Sequence, residues 1–219
     1  MGKATITHAR AVLTAWSLVL IIGFAAIATG DYAMLRYAQF LKSQDYEAFV
    51  SDAGICIENK DYAGAQAALR EALRLAPDAP SPQVMRGHFH YHRQEWRAAI
   101  EAYKKAQKLG STDIGLLQNI VWAHIELGEF TEAAEFGERS IAEANAGPRL
   151  PLYTAEAFFR AGKYAKAVPY LKAALALEPD NAYVMERLRV AAQRGGDPKT
   201  AAEMARKIAD MNALDLETP

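Results

Sequence analysis

The sequence repeats itself every 34 residues, and this period limits the possible folds more than any other feature. Four segments align without a gap, and each has an aromatic residue at its third position and an alanine at its sixth. The aromatics are Tyr62, Trp96, Phe130 and Tyr164, and the alanines are Ala65, Ala99, Ala133, Ala167 and, once more, Ala201. A fixed period of this length is typical of proteins that stack one small structural unit many times.

The period and this pattern resemble the tetratricopeptide repeat (TPR), whose unit is two antiparallel helices. A further small residue recurs in the second helix, and a helix-breaking proline ends two units. These residues are Ala72, Ala106, Ser140 and Ala174, and Pro77 and Pro179. The resemblance implies an all-α fold, a right-handed superhelix of four units at 46–79, 80–113, 114–147 and 148–181. Units stack because no single unit can bury its apolar face.

Residues 182–212 continue the repeat in a weaker form. Arg189 stands where a small residue belongs, and the run from Gly195 to Pro198 predicts a helix break and restart, with Asp197 as the N-cap. This pattern predicts a degenerate fifth hairpin that caps the stack, because solenoids need a last unit that shields their final interface. Residues 213–219 are predicted to be a loose tail.

The segment before the repeats is apolar. After a short tail at residues 1–10, residues 11–30 (AVLTAWSLVLIIGFAAIATG) carry no charge, and as a helix they would extend roughly 30 Å, enough to cross a bilayer. Gly23, Ala26 and Gly30 are small residues of the kind that let membrane helices pack closely. Residues 31–45 contain no Gly or Pro and are predicted to continue this helix as a connector.

A cleaved signal peptide is the alternative for the N-terminal segment. Ala26-Ile27-Ala28 has the small-x-small form of a cleavage site, and Lys3 and Arg10 would form a basic n-region. The apolar run is longer than the roughly 7–15 residues usual for a signal peptide, which favours a retained single-pass anchor. Such anchors normally leave the N-terminus in the cytoplasm, so the repeats are expected outside it, in the periplasm if the source is bacterial.

In the TPR family the first helices line a concave groove that binds partner proteins. By resemblance, this role extends to Val50, Ile57, Val84, His88, Tyr91, His92, Trp122, Glu126, Leu152, Glu156, Phe159 and Arg160. Exposed aromatics such as Tyr91 and Trp122 suit an anchor residue from a partner; alternatively they pack against the N-terminal helix or a neighbouring repeat. The groove lacks the basic-and-amide set with which related chaperone adaptors grip a C-terminal carboxylate, so that mode of recognition is not expected.

His88 and His92 are the one pair that suggests chemistry. They are four residues apart on a predicted helix, the spacing of two ligands in an H-x-x-x-H metal site, and Glu58 or Glu126 is the candidate third ligand. Residue 89 is Phe rather than the Glu of metalloproteases, which excludes that hydrolase motif. Two histidines without a strong third ligand are weak grounds for a metal, so no cofactor is predicted.

The remaining sequence argues against other functions. It has no glycine-rich phosphate loop and no nucleophile elbow, so no enzyme activity is predicted. A formal charge of −1 argues against nucleic-acid binding. The sequence therefore predicts a non-catalytic, membrane-anchored scaffold that serves as an accessory or assembly subunit of a membrane protein complex. A metal- or haem-binding protein centred on His88 and His92 and an exported soluble TPR protein are the alternatives.

Overall fold

A computed structural model describes the backbone of residues 32–143, 147 and 149–217, and the side chains of residues 45–142, 147 and 149–213. Within these residues the fold is all-α, as predicted: ten helices and no strand. The helices are α1 (Tyr32–Glu58), α2 (Tyr62–Leu75), α3 (Pro80–His92), α4 (Trp96–Lys108), α5 (Ile114–Glu126), α6 (Phe130–Glu143), α7 (Arg149–Arg160), α8 (Tyr164–Leu177), α9 (Ala182–Gly195) and α10 (Pro198–Glu217).

The chain forms two compact units that meet in sequence between Phe89 and His90. In the N-terminal unit, α1 and α2 pack as a hairpin. Its core contains Ala53, Ile57, Leu69 and Phe89, and the ring of Tyr62 meets that of Phe89 edge-on at 6.1 Å. The aromatic that begins each second helix therefore serves here as a core contact, which is the role that large apolar side chains have in helix packing.

In the C-terminal unit, each helix from α4 to α10 packs on the next one along the chain, and α5 also packs on α7. One continuous core runs through it and includes Ile125, Leu150, Phe158, Leu171 and Leu188. The contact between α5 and α7 joins the first helices of successive repeats. Stacking of this kind makes the stability of a repeat protein a sum of nearest-neighbour interfaces.

The repeated alanines explain how the helices of a repeat can approach. Ala65, Ala99, Ala133 and Ala167 have no solvent exposure, as expected for residues at helix crossings. Ala201, at the equivalent place in the last hairpin, is half-buried.

The two helices of each repeat are joined by one recurring left-handed turn. The residue in the left-handed region has φ between 59° and 82° and recurs at Lys60, Gln94, Gly128, Gly162 and Gly196. The N–H of the next residue donates to the carbonyl five positions earlier, at 2.8–2.9 Å, in the pairs Asp61–Cys56, Glu95–His90, Glu129–His124, Lys163–Phe158 and Asp197–Ala192. This turn satisfies carbonyls at the helix end, and glycine enters it without strain.

Two helix crossings depend on a missing side chain. A Cβ on Gly195, the last residue of α9, would lie 2.8 Å from the backbone nitrogen of Ala165 in α8. A Cβ on Gly137 in α6 would collide with Thr154 of α7. Both glycines therefore allow a backbone approach that alanine would prevent.

The ends of the described chain differ in part from the prediction. The predicted connector lies, from residue 32 onward, within α1, which continues without a break to Glu58. The predicted restart at Asp197 is confirmed, because its carboxylate accepts from the N–H of Thr200 at 3.0 Å. Residues 213–217 were predicted as part of a loose tail, but α10 extends to Glu217 and includes them.

The predicted membrane helix, residues 11–30, and the tail before it lie outside the described residues, as do its small residues Gly23, Ala26 and Gly30. Among the helices that are described, none combines the length and the apolar character needed to span a bilayer.

Candidate partner-binding site

The predicted groove residues of the N-terminal unit differ in how deeply their side chains are buried. Val50 and Ile57 of α1 are core side chains, with 8% and 3% exposure, so they offer little surface to a partner. Val84 and His88 of α3 are half-buried. All four residues lie on the first helices α1 and α3, but a position in the repeat alone does not tell which side of the helix faces the core.

His88 and His92 both lie on α3, which spans Pro80–His92. The two candidate third ligands, Glu58 and Glu126, are both exposed. Within the described residues, no three or more His, Cys, Asp or Glu side chains come together in a way that could hold a metal ion. The histidine pair therefore gains no third ligand from the described part of the fold.

In the C-terminal unit, an aromatic pair links two first helices. The rings of Trp122 in α5 and Tyr153 in α7 lie 5.1 Å apart and tilted by 50°, and both side chains are half-buried. Burial, together with the nearby Tyr153 and Glu126, raises the pKa of Tyr91 to about 12. Tyr91 also packs edge-on against Trp96 at 5.1 Å. The side chains of Tyr91 and Trp122 are thus partly covered by other residues of the repeats and partly exposed. Packing against the repeats was one of the two alternatives that the sequence left open.

A charged cluster follows on α7 and α9. The Oε1 atom of Glu156 accepts from Nε of Arg160 at 2.8 Å and from Nη2 of Arg187 at 3.1 Å. The Glu156 side chain is only 6% exposed, whereas those of Arg160 and Arg187 are 41% and 30% exposed. A buried carboxylate needs such partners, because desolvation of an unpaired charge costs several kcal/mol.

Two aromatic rings fix the position of Arg187. Its guanidinium carbon lies 4.6 Å from the ring centre of Phe159 and 5.3 Å from that of Tyr183, and its Nε donates to the Tyr183 hydroxyl at 3.0 Å. Burial works against the charge on Arg187, but the hydrogen bond to Tyr183 and the charge of Glu156 outweigh it and raise its pKa. Stacked in this way, the guanidinium is held in one orientation.

These residues form the first-helix face of the C-terminal unit: Trp122, Tyr153, Glu156, Phe159, Arg160, Tyr183 and Arg187. Leu152 is half-buried beside them and packs on the core, and His92 is exposed. The sequence prediction included neither Tyr153 nor the two residues of α9. One sequence signal could have found them, namely a common spacing between contacting residues. Trp122 and Tyr153 are 31 positions apart, and Glu156 and Arg187 are 31 positions apart as well.

The fold and this face define a helical-repeat protein with an amphipathic surface along its first helices. The chain belongs to the tetratricopeptide repeat family, whose sequence profile matches residues 28–209. No curated protein matches the sequence.

Several solved structures share the fold. YrrB, described as a TPR protein with an unusual peptide-binding site, is 18% identical, with a TM-score of 0.63 over 78% of this chain and 91% of its own. A MamA protein is 16% identical, with a TM-score of 0.70 over 80% and 96% of the two chains. MamA from Desulfovibrio magneticus RS-1, from residue 41 to its end, is 19% identical, with a TM-score of 0.66 over 77% and 95%.

Proposed function

We propose that this chain is a non-catalytic scaffold that binds a segment of another protein on the first-helix face of its C-terminal unit. The observation that carries the proposal is the half-buried Trp122–Tyr153 pair, one helical turn along α7 from the arginine cluster at Glu156. Trp, Tyr and Arg are the residues that most often dominate binding energy at protein interfaces. A face that combines them offers an apolar anchor point and a charged contact side by side.

Membership of the TPR family supports this proposal, because TPR domains bind other proteins or peptides. The peptide-binding site attributed to YrrB, which shares the fold, supports it further. The partner itself is not specified by the fold, since one fold serves many functions.

The test is affinity purification of the tagged full chain from its native membranes in mild detergent. Trp122→Ala removes the ring that pairs with Tyr153, and we expect it to reduce recovery of specific partners at least tenfold, because a buried aromatic anchor contributes about 2 kcal/mol or more. Leu177→Ala is the matched control, because Leu177 is a large apolar residue of a second helix with 57% exposure. An unchanged set of co-purifying proteins for Trp122→Ala would rule out this face.

We further propose that residues 11–30 hold the protein in a membrane as a single-pass anchor, with the repeats on the extracytoplasmic side. The support is the uncharged run of twenty residues, most of which precedes residue 28, where the family match begins. On this proposal the protein is an accessory or assembly subunit of a membrane protein complex.

Intact mass of the native protein tests the anchor directly. A retained anchor gives the mass of the full chain, whereas cleavage after Ala28 gives a shorter chain and favours the exported soluble form. Protease added to intact cells or spheroplasts tests the orientation: digestion of the repeats supports the extracytoplasmic placement, and protection contradicts it.

A further inference from the structure

We propose that Arg160 and Arg187 form a binding site for an acidic side chain of the partner, an Asp or Glu next to an apolar anchor residue. This inference rests on the function proposed above and adds the chemistry of the partner segment.

The first support is the charge of the cluster. One carboxylate, that of Glu156, faces two guanidinium groups, and both bond to the same oxygen atom, Oε1. The cluster therefore carries one excess positive charge. Its negative member is covered, while both positive members reach the surface. A ligand that approaches this place meets positive charge in a partly desolvated setting, where a carboxylate gains most.

The second support is the set of hydrogen-bond donors that remain. Among the hydrogen bonds of the described residues, Arg160 uses Nε, and Arg187 uses Nε and Nη2. Nη1 and Nη2 of Arg160 and Nη1 of Arg187 are left to donate. Because Phe159 and Tyr183 hold the Arg187 guanidinium in place, a bound carboxylate would not have to order that side chain first.

The third support is the aromatic surface on both sides of the cluster. Tyr153 precedes Glu156 by one turn of α7 and pairs with Trp122 of α5, while Tyr183, 53% exposed, lies on α9. Side chains three positions apart on a helix are about 5–6 Å apart. A partner segment can therefore place an apolar residue on the aromatic pair and a carboxylate on the arginines, and continue past Tyr183. This continuity favours a side-chain carboxylate over a chain terminus.

The experiment selects peptides from a phage library of random dodecapeptides on the immobilised full chain in mild detergent, and measures synthetic copies by fluorescence polarisation. The displayed peptides are fused at their C-terminus and so have no free terminal carboxylate. We expect an Asp or Glu at a fixed spacing from an aromatic or aliphatic residue. Replacing that acid with its amide should weaken binding about tenfold, because a hydrogen bond to a charged group is roughly twice as strong as one between neutral groups.

Two protein variants locate the contact. Arg160→Gln leaves Arg187 to pair with Glu156, and it should weaken the acidic peptide about tenfold but leave the amide peptide unchanged. Arg139→Gln removes the same charge from an exposed position of α6 and should leave both affinities unchanged. If Arg160→Gln does not fold, the comparison of acidic and amide peptides on the unaltered protein still decides the outcome.

Three results overturn the proposal. Selected peptides that lack an acid but lose binding in Trp122→Ala would leave the proposed function standing and remove only this inference. Peptides that bind only with a free C-terminus, in a second library displayed with one, would assign the site to a terminal carboxylate instead. Selection of no peptide above the background of an unrelated protein would count against both proposals.

Discussion

Nδ1 of His124 lies 2.7 Å from Oε2 of Glu129, and the same contact at the same distance joins His90 to Glu95 one repeat earlier. The backbones of these same pairs close the left-handed turn, so the turn brings their side chains together. A hydrophobic contact is frequent at this place in such turns. In two successive repeats of this chain, a hydrogen bond between a histidine and a glutamate replaces that hydrophobic contact.

This contact predicts a pH dependence of stability. The hydrogen bond from His124, helped by Arg97 at 2.8 Å, lowers the pKa of Glu129. A carboxyl group with a lowered folded-state pKa stabilises the fold above its ordinary pKa of about 4.3, and this contribution is lost as the pH falls through the folded-state pKa. We expect Glu129→Gln to lower the free energy of unfolding by about 1 kcal/mol at pH 7 and by much less at pH 3.

Thermal unfolding of the full chain in mild detergent, followed by circular dichroism at both pH values, measures this difference. Glu135→Gln is the control: it makes the same change of charge on an exposed position of α6 and should have little effect at either pH. Equal destabilisation by Glu129→Gln at pH 7 and pH 3 would contradict the role given to the ionised carboxylate.

The left-handed turn predicts a substitution that stabilises the protein. Gln94 has a φ of 59°, where a side chain is strained, whereas Gly128 and Gly162 occupy equivalent places without that cost. We expect Gln94→Gly to raise the free energy of unfolding by roughly 0.5–1 kcal/mol and Gly128→Gln to lower it by about as much. Gln107→Gly, at an exposed position in the last turn of α4, should instead destabilise the protein by up to about 1 kcal/mol. A gain in stability from glycine at both positions would show that the effect is not specific to the left-handed turn.

The crossing of α8 and α9 predicts a strong effect at Gly195. A Cβ there would lie 2.8 Å from the nitrogen and 2.9 Å from the Cα of Ala165, and backbone atoms cannot move aside as a flexible side chain can. Gly195→Ala should therefore destabilise by about 1–3 kcal/mol, measured by the same thermal unfolding. Gly54→Ala is the control, because a Cβ at Gly54 meets only the end of the Met85 side chain at 3.3 Å. A melting temperature that is equally unaffected in both variants would refute the close approach.

Helix α8 contains a proline at an exposed interior position, Pro169. Proline has no N–H to donate to the carbonyl of Ala165 and clashes with it, so Pro169→Ala should stabilise by about 1–3 kcal/mol. The equivalent residue one repeat earlier is Glu135, and Glu135→Ala should change stability by no more than about 0.5 kcal/mol. A loss of stability in Pro169→Ala would show that the ring makes a packing contribution larger than the missing hydrogen bond.

The repeat could be predicted from the sequence alone, but the full set of residues on the first-helix face could not. The small residues at Ala65, Ala99, Ala133 and Ala167 could be recognised because helix crossings tolerate little else, and the period then set the order of the helices. Arg187 was missed because it belongs to the weak fifth hairpin, which was interpreted only as a cap. Its contacts with Glu156 and Phe159 join two different helices, and such contacts follow from packing rather than from local pattern.

The recurring turn also makes the chain modular along its length. Excising residues 129–162 would join Gly128 to Lys163, so the shortened chain would still have a left-handed glycine followed by a residue whose N–H already closes such a turn. Gain or loss of one period therefore requires no new loop. A chain of this design can lengthen or shorten its first-helix face by whole units while the local backbone at every junction stays the same.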